Sequence, residues 1–278
     1  MTPAGYAWAG PALVSVRAVG PGLGAQRLTG PGPGPAGPMT PRRNARRVAA
    51  GVEPGGGYPY ADRVARQACL LDAFDTILDC DFTAFRSELP ALAGIPAEAM
   101  ITEFGRIMPA LATGRFSMAE GFRQILPACG VEPRPGLVSA LVSKGRELLL
   151  AAARLYDDVL PFLEKLRSRG IAIAIVSNCD ENMREMLSEL GVSAFADALA
   201  LSCEVGAAKP EARIYRHALE ALGVTAEAAL FVDDNAAFCA AGAAVGLSAV
   251  QIVRGQAEAK VVPGITVVRS LPEVEAMF

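Results

Sequence analysis

The chain has 278 residues, 52% apolar and 20% charged, with a formal net charge of −3. That length suits one large domain or a core with an insert, and no apolar run reaches the roughly 20 residues of a membrane-spanning helix. Residues 1–52 hold six arginines and no acid, whereas from residue 53 on 20 basic side chains face 29 acidic ones; so acidic a remainder argues against a nucleic-acid surface.

In chain order, residues 1–60 are rich in Gly, Pro and Arg and poor in large apolar side chains, so a disordered N-terminal tail is expected. The cluster Arg42-Arg43-Asn-Ala-Arg46-Arg47 reads as an address or an anion-binding tail. No apolar stretch follows it, which argues against a secretory signal, although an Arg-rich, acid-free start also has the composition of a transit peptide. Ala68–Leu71 is a short apolar run ending at Asp72 and is predicted to be a buried strand.

Helical spacing then covers Phe82–Leu92, Ala97–Leu111, Met118–Leu126 and Gly136–Leu155, with breaks at Gly94-Ile-Pro96, Thr113-Gly114 and Gly130–Pro135. No strand is expected among them, so residues 80–156 form a helical insert. A helix is predicted over Asp157–Arg169, closed by Gly170, and a strand over Ile171–Val176 that ends at Ser177-Asn178. A helix carries Met183, Met186, Leu187 and Leu190 on one stripe. Ala198–Leu201 reads as a strand, and Pro210 opens a helix over Glu211–Leu222. Ala228–Val232 is a strand ending at Asp233, Ala236–Val245 a small-residue helix, and Leu247–Val253 and Ile265–Val268 the last strands. Alternating strands and helices without a repeat predict an α/β protein with a parallel sheet.

The six cysteines include no CxxC pair and read as small apolar residues in a reducing cytoplasm. The one histidine, His217, shares a helix face with Arg213, Arg216 and Glu220, so it reads as a surface residue. Histidine-based triads are thereby disfavoured.

Four segments carry the chemistry: Asp72-Ala-Phe-Asp-Thr76, Ser177-Asn178, Lys209-Pro210 and Asp233-Asp234-Asn235. Three follow predicted strands, and in an open α/β sheet ligands bind beyond the carboxyl ends of the strands. If these strands are neighbours, Asp72, Asp233 and Asp234 share one cleft. Two like charges about 4 Å apart repel by about 4 kcal/mol at an effective dielectric near 20, and one lysine offsets only part of that. A hard divalent cation resolves the conflict, which points to Mg²⁺. Backbone amides at the helix start after Ser177-Asn178 favour an anion, and the serine hydroxyl adds a donor.

On these motifs, in this order, the chain resembles the haloacid dehalogenase-like hydrolase superfamily over roughly residues 66–254. Glu204-Val-Gly-Ala-Ala-Lys209-Pro-Glu-Ala-Arg-Ile-Tyr215 is similar to the family's lysine segment, and Phe231-Val-Asp-Asp-Asn235 to its acidic motif. The resemblance implies a Rossmann-like core formed by 66–79 and 157–278, with the insert as a helical cap over the site. It implies Asp72 as nucleophile and an aspartyl-phosphate intermediate. Mg²⁺ is then held by Asp72, the Phe74 carbonyl, Asp233 and Asp234. Ser177, Asn178 and Lys209 bind the transferring group, and Thr76 supports the loop. The substrate is a small phosphorylated or halogenated molecule, for which Arg86, Arg106 and Arg115 are candidate contacts.

One position departs from the pattern. Phosphatases of the superfamily carry an aspartate two residues after the nucleophile, as general acid; this chain has Phe74. General acid catalysis contributes about 10²–10⁴-fold. Phe74, Tyr215 and Asn235 fit the 2-haloacid dehalogenase branch, which needs no such acid. Asp233-Asp234 and Phe238 stand where that branch has small hydroxyl residues and an aspartate, so the phosphatase reading is favoured. A binding protein on the same fold is the third alternative.

Overall fold

The computed structural model describes residues 66–255 and 262–278; the expectation for the tail at 1–60 lies outside them. Six parallel strands form one sheet: β1 (Ala68–Leu71), β4 (Ala172–Ser177), β5 (Ala198–Leu201), β6 (Ala229–Asp233), β7 (Ser248–Ile252) and β8 (Thr266–Val268), in the order β5-β4-β1-β6-β7-β8. The chain leaves β1 toward β4 and β5, then returns to build β6, β7 and β8 on its other side. β1 therefore borders the point where the winding reverses, the place where such sheets bind ligands.

Side-chain alternation explains why both faces are covered. Cys69, Leu71, Ile173, Ile175, Leu230, Val232, Val250 and Ile252 point to one face. There they meet α5 (Val159–Ser168), α6 (Met183–Glu189) and α10 (Leu271–Glu275) through Phe162, Leu166, Met183, Met186 and Val274. Leu70, Ala174, Val176, Ala200 and Phe231 point the other way, onto α8 (Ala212–Leu222) and α9 (Ala236–Val245) through Ile214, Tyr215, Ala218 and Phe238. A sheet buried on both faces needs continuous apolar strands, which is what β1 and β4 supply.

The helices α1 (Thr83–Ala93), α2 (Ala97–Leu111), α3 (Met118–Ala128) and α4 (Pro135–Ala152) have a hydrophobic cluster of their own. Phe104 anchors it, with ring centroids 5.9 Å from Phe85 and 5.4 Å from Phe122. Ser117 caps α3 in a reciprocal box with Glu120.

Two expectations need correction here. The helix predicted over Gly136–Leu155 stops at Ala152, and the chain turns extended at Ala153 (φ −74°, ψ 135°). Ala153–Leu155 is a strand, β3, antiparallel to β2 (Leu78–Cys80), with Leu78 opposite Leu155. The helical periodicity of 136–155 hid this, because Leu149 and Leu155 are apolar in either state and only the partner segment decides. β2 and β3 tie the entry and exit of the helical segment side by side.

The helical segment also touches the sheet layer away from this ribbon. Gly114, between α2 and α3, has φ 66°, and a Cβ built on it lies 2.0 Å from the Cys203 carbonyl oxygen. The Met118 amide donates to the Glu181 carboxylate at 3.2 Å. Gly114→Val is expected to lower stability by more than about 2 kcal/mol, because both the left-handed backbone and the close approach exclude a side chain. Urea unfolding measures this, and a change within about 0.5 kcal/mol contradicts the contact.

Candidate active site

Register places the site. Leu71 pairs with Ile175 on one side and Val232 on the other, so Asp72, the next residue, lies between the ends of β4 and β6. Its amide donates to the Val232 carbonyl at 2.9 Å. Ser177 ends β4 and Asp233 ends β6. Lys209, from the segment before α8, is 3% exposed and reaches both carboxylates: its Nζ lies 2.5 Å from Asp72 Oδ1 and 2.6 Å from Asp233 Oδ2. The Phe238 and Phe231 rings lie 5.1 and 5.8 Å from the ammonium, and keep water from it.

Asn178 fixes the backbone that carries this lysine. Its Nδ2 donates to the Lys209 carbonyl at 2.9 Å and its Oδ1 accepts from the Lys209 amide at 2.7 Å. Asn178 thus serves to hold Lys209 in place. Thr76 is buried between the other two parts: its hydroxyl lies 3.5 Å from Asp72 Oδ2 and accepts from the Asp234 amide at 3.1 Å.

Carboxylate oxygens of Asp72, Asp233 and Asp234 lie within 4.8 Å of one another. With Lys209 the cluster carries a formal charge of −2, the complement of one divalent cation. The electrostatics report the same crowding. Burial, then Asp72 and Asp233, push the Asp234 carboxyl up to about 8. Burial raises Asp233 too, against the pull of Lys209. Burial alone would lower the Lys209 ammonium, but Asp233 and Asp72 outweigh it and hold the group above its ordinary value. The Ser177 hydroxyl, fully buried at the strand end, has no hydrogen-bond partner among the described residues. Such an orphan costs about 1–3 kcal/mol, which an anionic ligand accepting from it would offset.

Asp75 takes φ 55°, a left-handed conformation that aspartate tolerates better than most residues. It lies outside the carboxylate cluster and, with Phe74, Asp81, Phe82 and Arg86, lines a cleft of about 260 Å³. Of the arginines proposed for substrate, Arg86 borders that cleft. Arg106 instead pairs with Glu103 on α2, 2.7 Å away, with a 55% exposed side chain, and it is not brought to the carboxylates. Arg115 is exposed on the α2–α3 loop.

The residues that suggested the dehalogenase branch have local partners. Tyr215, fully buried, donates to the Phe238 carbonyl at 2.9 Å. Asn235 caps α9, accepting from the Ala237 amide at 2.9 Å. His217 is exposed, as expected. Sequence reasoning passed over Gln251, whose Nε2 donates to the Asp234 carbonyl at 3.0 Å. The signal was available: it is a polar residue inside the apolar strand β7.

The fold and this charge cluster together define an enzyme. The family model of the haloacid dehalogenase-like hydrolases matches residues 66–246, and the chain belongs to that family. It is 34% identical over 137 residues to a glyceraldehyde 3-phosphate phosphatase of Methanopyrus kandleri; the match covers 49% of this chain and 59% of that protein, a little over half its length. It is 28% identical over 197 residues to the (S)-2-haloacid dehalogenase 4A of Burkholderia cepacia, covering 68% and 83%. The crystal structure of a dehalogenase matches with a TM-score of 0.54 at 26% identity, over 77% of this chain and 97% of that one. Among the described residues no helix is long and apolar enough to cross a membrane.

Proposed function

We propose that this hydrolase is a Mg²⁺-dependent phosphatase acting on a small phosphorylated metabolite through an aspartyl-phosphate on Asp72. The observation that carries this reading is the carboxylate trio closed by one lysine, beside an unpartnered serine hydroxyl. An excess of two negative charges suits a divalent cation, and the orphaned donor suits a phosphoryl oxygen. Asp72, Asp233, Asp234 and the Phe74 carbonyl would hold the ion, which supplies charge neutralisation when bound.

The chain's own groups do the rest. An Asp72 carboxylate oxygen attacks phosphorus, and the ester P–O bond breaks as the new O–P bond forms. Lys209 and the Ser177 hydroxyl stabilise the charge on the transferring group. Water then cleaves the aspartyl-phosphate and restores Asp72. The leaving oxygen receives no proton from Phe74, so esters of acidic alcohols and phenols are the better substrates. The helical segment acts as the cap, and the cleft beside Phe74 and Arg86 accepts the leaving group. The six free cysteines fit a reducing cytoplasm.

A second reading, halide displacement from a 2-haloacid by Asp72, is supported by Phe74 and by the likeness to the (S)-2-haloacid dehalogenase 4A and the dehalogenase crystal structure. It does not use the acidic pair, and Tyr215 and Asn235 are occupied elsewhere. The deciding experiment is a panel of phosphate esters and 2-chloropropionate, with and without Mg²⁺. Metal-dependent phosphate release supports the proposal; metal-independent chloride release overturns it in favour of the second reading. No turnover of either class supports the third alternative, a binding protein.

The raised Asp234 carboxyl sets a pH dependence. Its ordinary value is near 4, so between about pH 4 and pH 8 the metal-free folded chain holds a proton that the unfolded chain releases. Stability of the metal-free protein therefore falls as pH rises through this window. A cation displaces that proton, so the rise in Tm on adding Mg²⁺ is expected to be larger at pH 8 than at pH 5.5. Thermal unfolding at both pH values measures it, and an equal rise at both contradicts the metal assignment.

A further inference from the structure

Arg254, two residues beyond β7, has no role in the chemistry above, yet each of its guanidinium nitrogens is engaged. Nε and Nη2 donate to the Thr76 carbonyl at 3.0 and 2.7 Å, and Nη1 donates to Asp158 Oδ2 at 2.8 Å. The guanidinium carbon lies 4.3 Å from the centroid of the Tyr156 ring. Its side chain is 12% exposed. Asp158 Oδ2 also accepts from the Leu271 amide at 2.9 Å, so the acid is itself anchored to α10.

These contacts converge on a point that matters. Thr76 lies just before β2, on the entry to the helical segment, and Tyr156 and Asp158 lie just after β3, on its exit. The Thr76 hydroxyl stands between Asp72 Oδ2 and the Asp234 amide, while its carbonyl is held by Arg254. We infer that Arg254 is a positioning residue: it fixes Thr76, and through Thr76 the relative placement of the nucleophile and the acidic pair, against the exit of the cap. The inference rests on the reading of Asp72 as nucleophile.

The chemistry of the side chain fits the task. Two N–H groups of one planar fork on a single carbonyl restrain direction as well as distance, which the point charge of a lysine cannot do. A near-buried ion pair alone is weak evidence of stabilisation, since apolar replacements often do as well. What an apolar pair cannot supply is the bond to Thr76.

The test compares wild type with Arg254→Ala, Arg254→Lys and Asp158→Asn. Steady-state kinetics use p-nitrophenyl phosphate with Mg²⁺, or 2-chloropropionate if that is what the wild type turns over. Amide hydrogen exchange is followed at Asp75, Ile77 and Leu78, whose amides bond within this loop, and across β4. Arg254→Ala is expected to lower kcat about 10–100-fold, the usual cost of losing such a supporting bond, with KM within about threefold. Loop exchange should quicken more than about tenfold while β4 is unchanged. Arg254→Lys should fail to restore kcat, and Asp158→Asn should leave it within about threefold. Equal losses from Arg254→Ala and Asp158→Asn, full rescue by lysine, or exchange that quickens everywhere alike would overturn the inference in favour of a plain structural pair. The exchange readout needs no turnover. A wild type silent on both substrates removes the functional reading, whereas unchanged loop exchange in Arg254→Ala removes the positioning role.

Discussion

Asp72→Asn is expected to abolish turnover while leaving the metal-free protein at least as stable as wild type. The amide keeps the shape of the carboxylate but is no nucleophile, so kcat should fall by about 10⁴-fold or more. The stability half follows from the crowding around it. Asp72, Asp233 and Asp234 share one lysine, and removing one of three like charges relieves repulsion that the metal-free fold must otherwise bear. Sites shaped for chemistry are commonly destabilising in this way. Initial rates on the best ester of the panel and thermal unfolding without Mg²⁺ check the two halves. An Asp72→Asn protein with rates within tenfold of wild type would falsify the nucleophile assignment. One that loses several degrees in Tm would show that the carboxylate is held for structure.

Lys209→Met is expected to show the opposite signature, a loss of both activity and stability. The methionine fills much of the same space but leaves two buried carboxylates without their cation. Breaking such a pair from one side costs about 3–5 kcal/mol, and the loss of a charge-stabilising donor at the reacting centre costs about 10²–10³-fold in kcat. The stability loss has a sign in pH. Without the ammonium the buried Asp233 carboxyl, which Lys209 otherwise pulls down, holds its proton to higher pH in the folded state, so the deficit against wild type should be small near pH 5 and grow toward pH 8. Denaturant unfolding at both ends of this range, with and without Mg²⁺, measures it; saturating metal should recover part of the deficit. A deficit that is flat in pH would mean that Lys209 contributes packing against Phe231 and Phe238 more than charge.

Much of the site was legible because it sits on strand ends. A buried parallel strand reads as a continuous apolar run, and the polar residue that ends it is conspicuous: Asp72 after Ala68–Leu71, Ser177 closing Ala172–Ser177, Asp233 closing Ala229–Asp233. Lys209 was readable from its proline and the amphipathic helix behind it. What sequence could not supply was the partner of each side chain. Asn178 read as a ligand contact and proves to hold the Lys209 backbone. Arg106 read as a substrate arginine and pairs with Glu103, because one helical turn brings the acid to it. Gln251 and Arg254 act on main-chain carbonyls, and a side chain that bonds to backbone leaves no complementary residue to search for. The β2–β3 ribbon was missed for a related reason. A three-residue strand has no periodicity of its own and exists only through its pairing.

The β2–β3 ribbon also decides how the helical segment is attached. Since the two ends of the four-helix segment leave the sheet next to each other, hydrogen-bonded from Leu78 to Leu155, the segment is attached like a hairpin rather than threaded through the core. Segments with adjacent ends are the kind that folded scaffolds accept as replacements. A chimaera cut at Cys80 and Ala153 and given a foreign bundle of matching span is expected to keep the parallel sheet and the carboxylate cluster, which lie outside the exchanged segment.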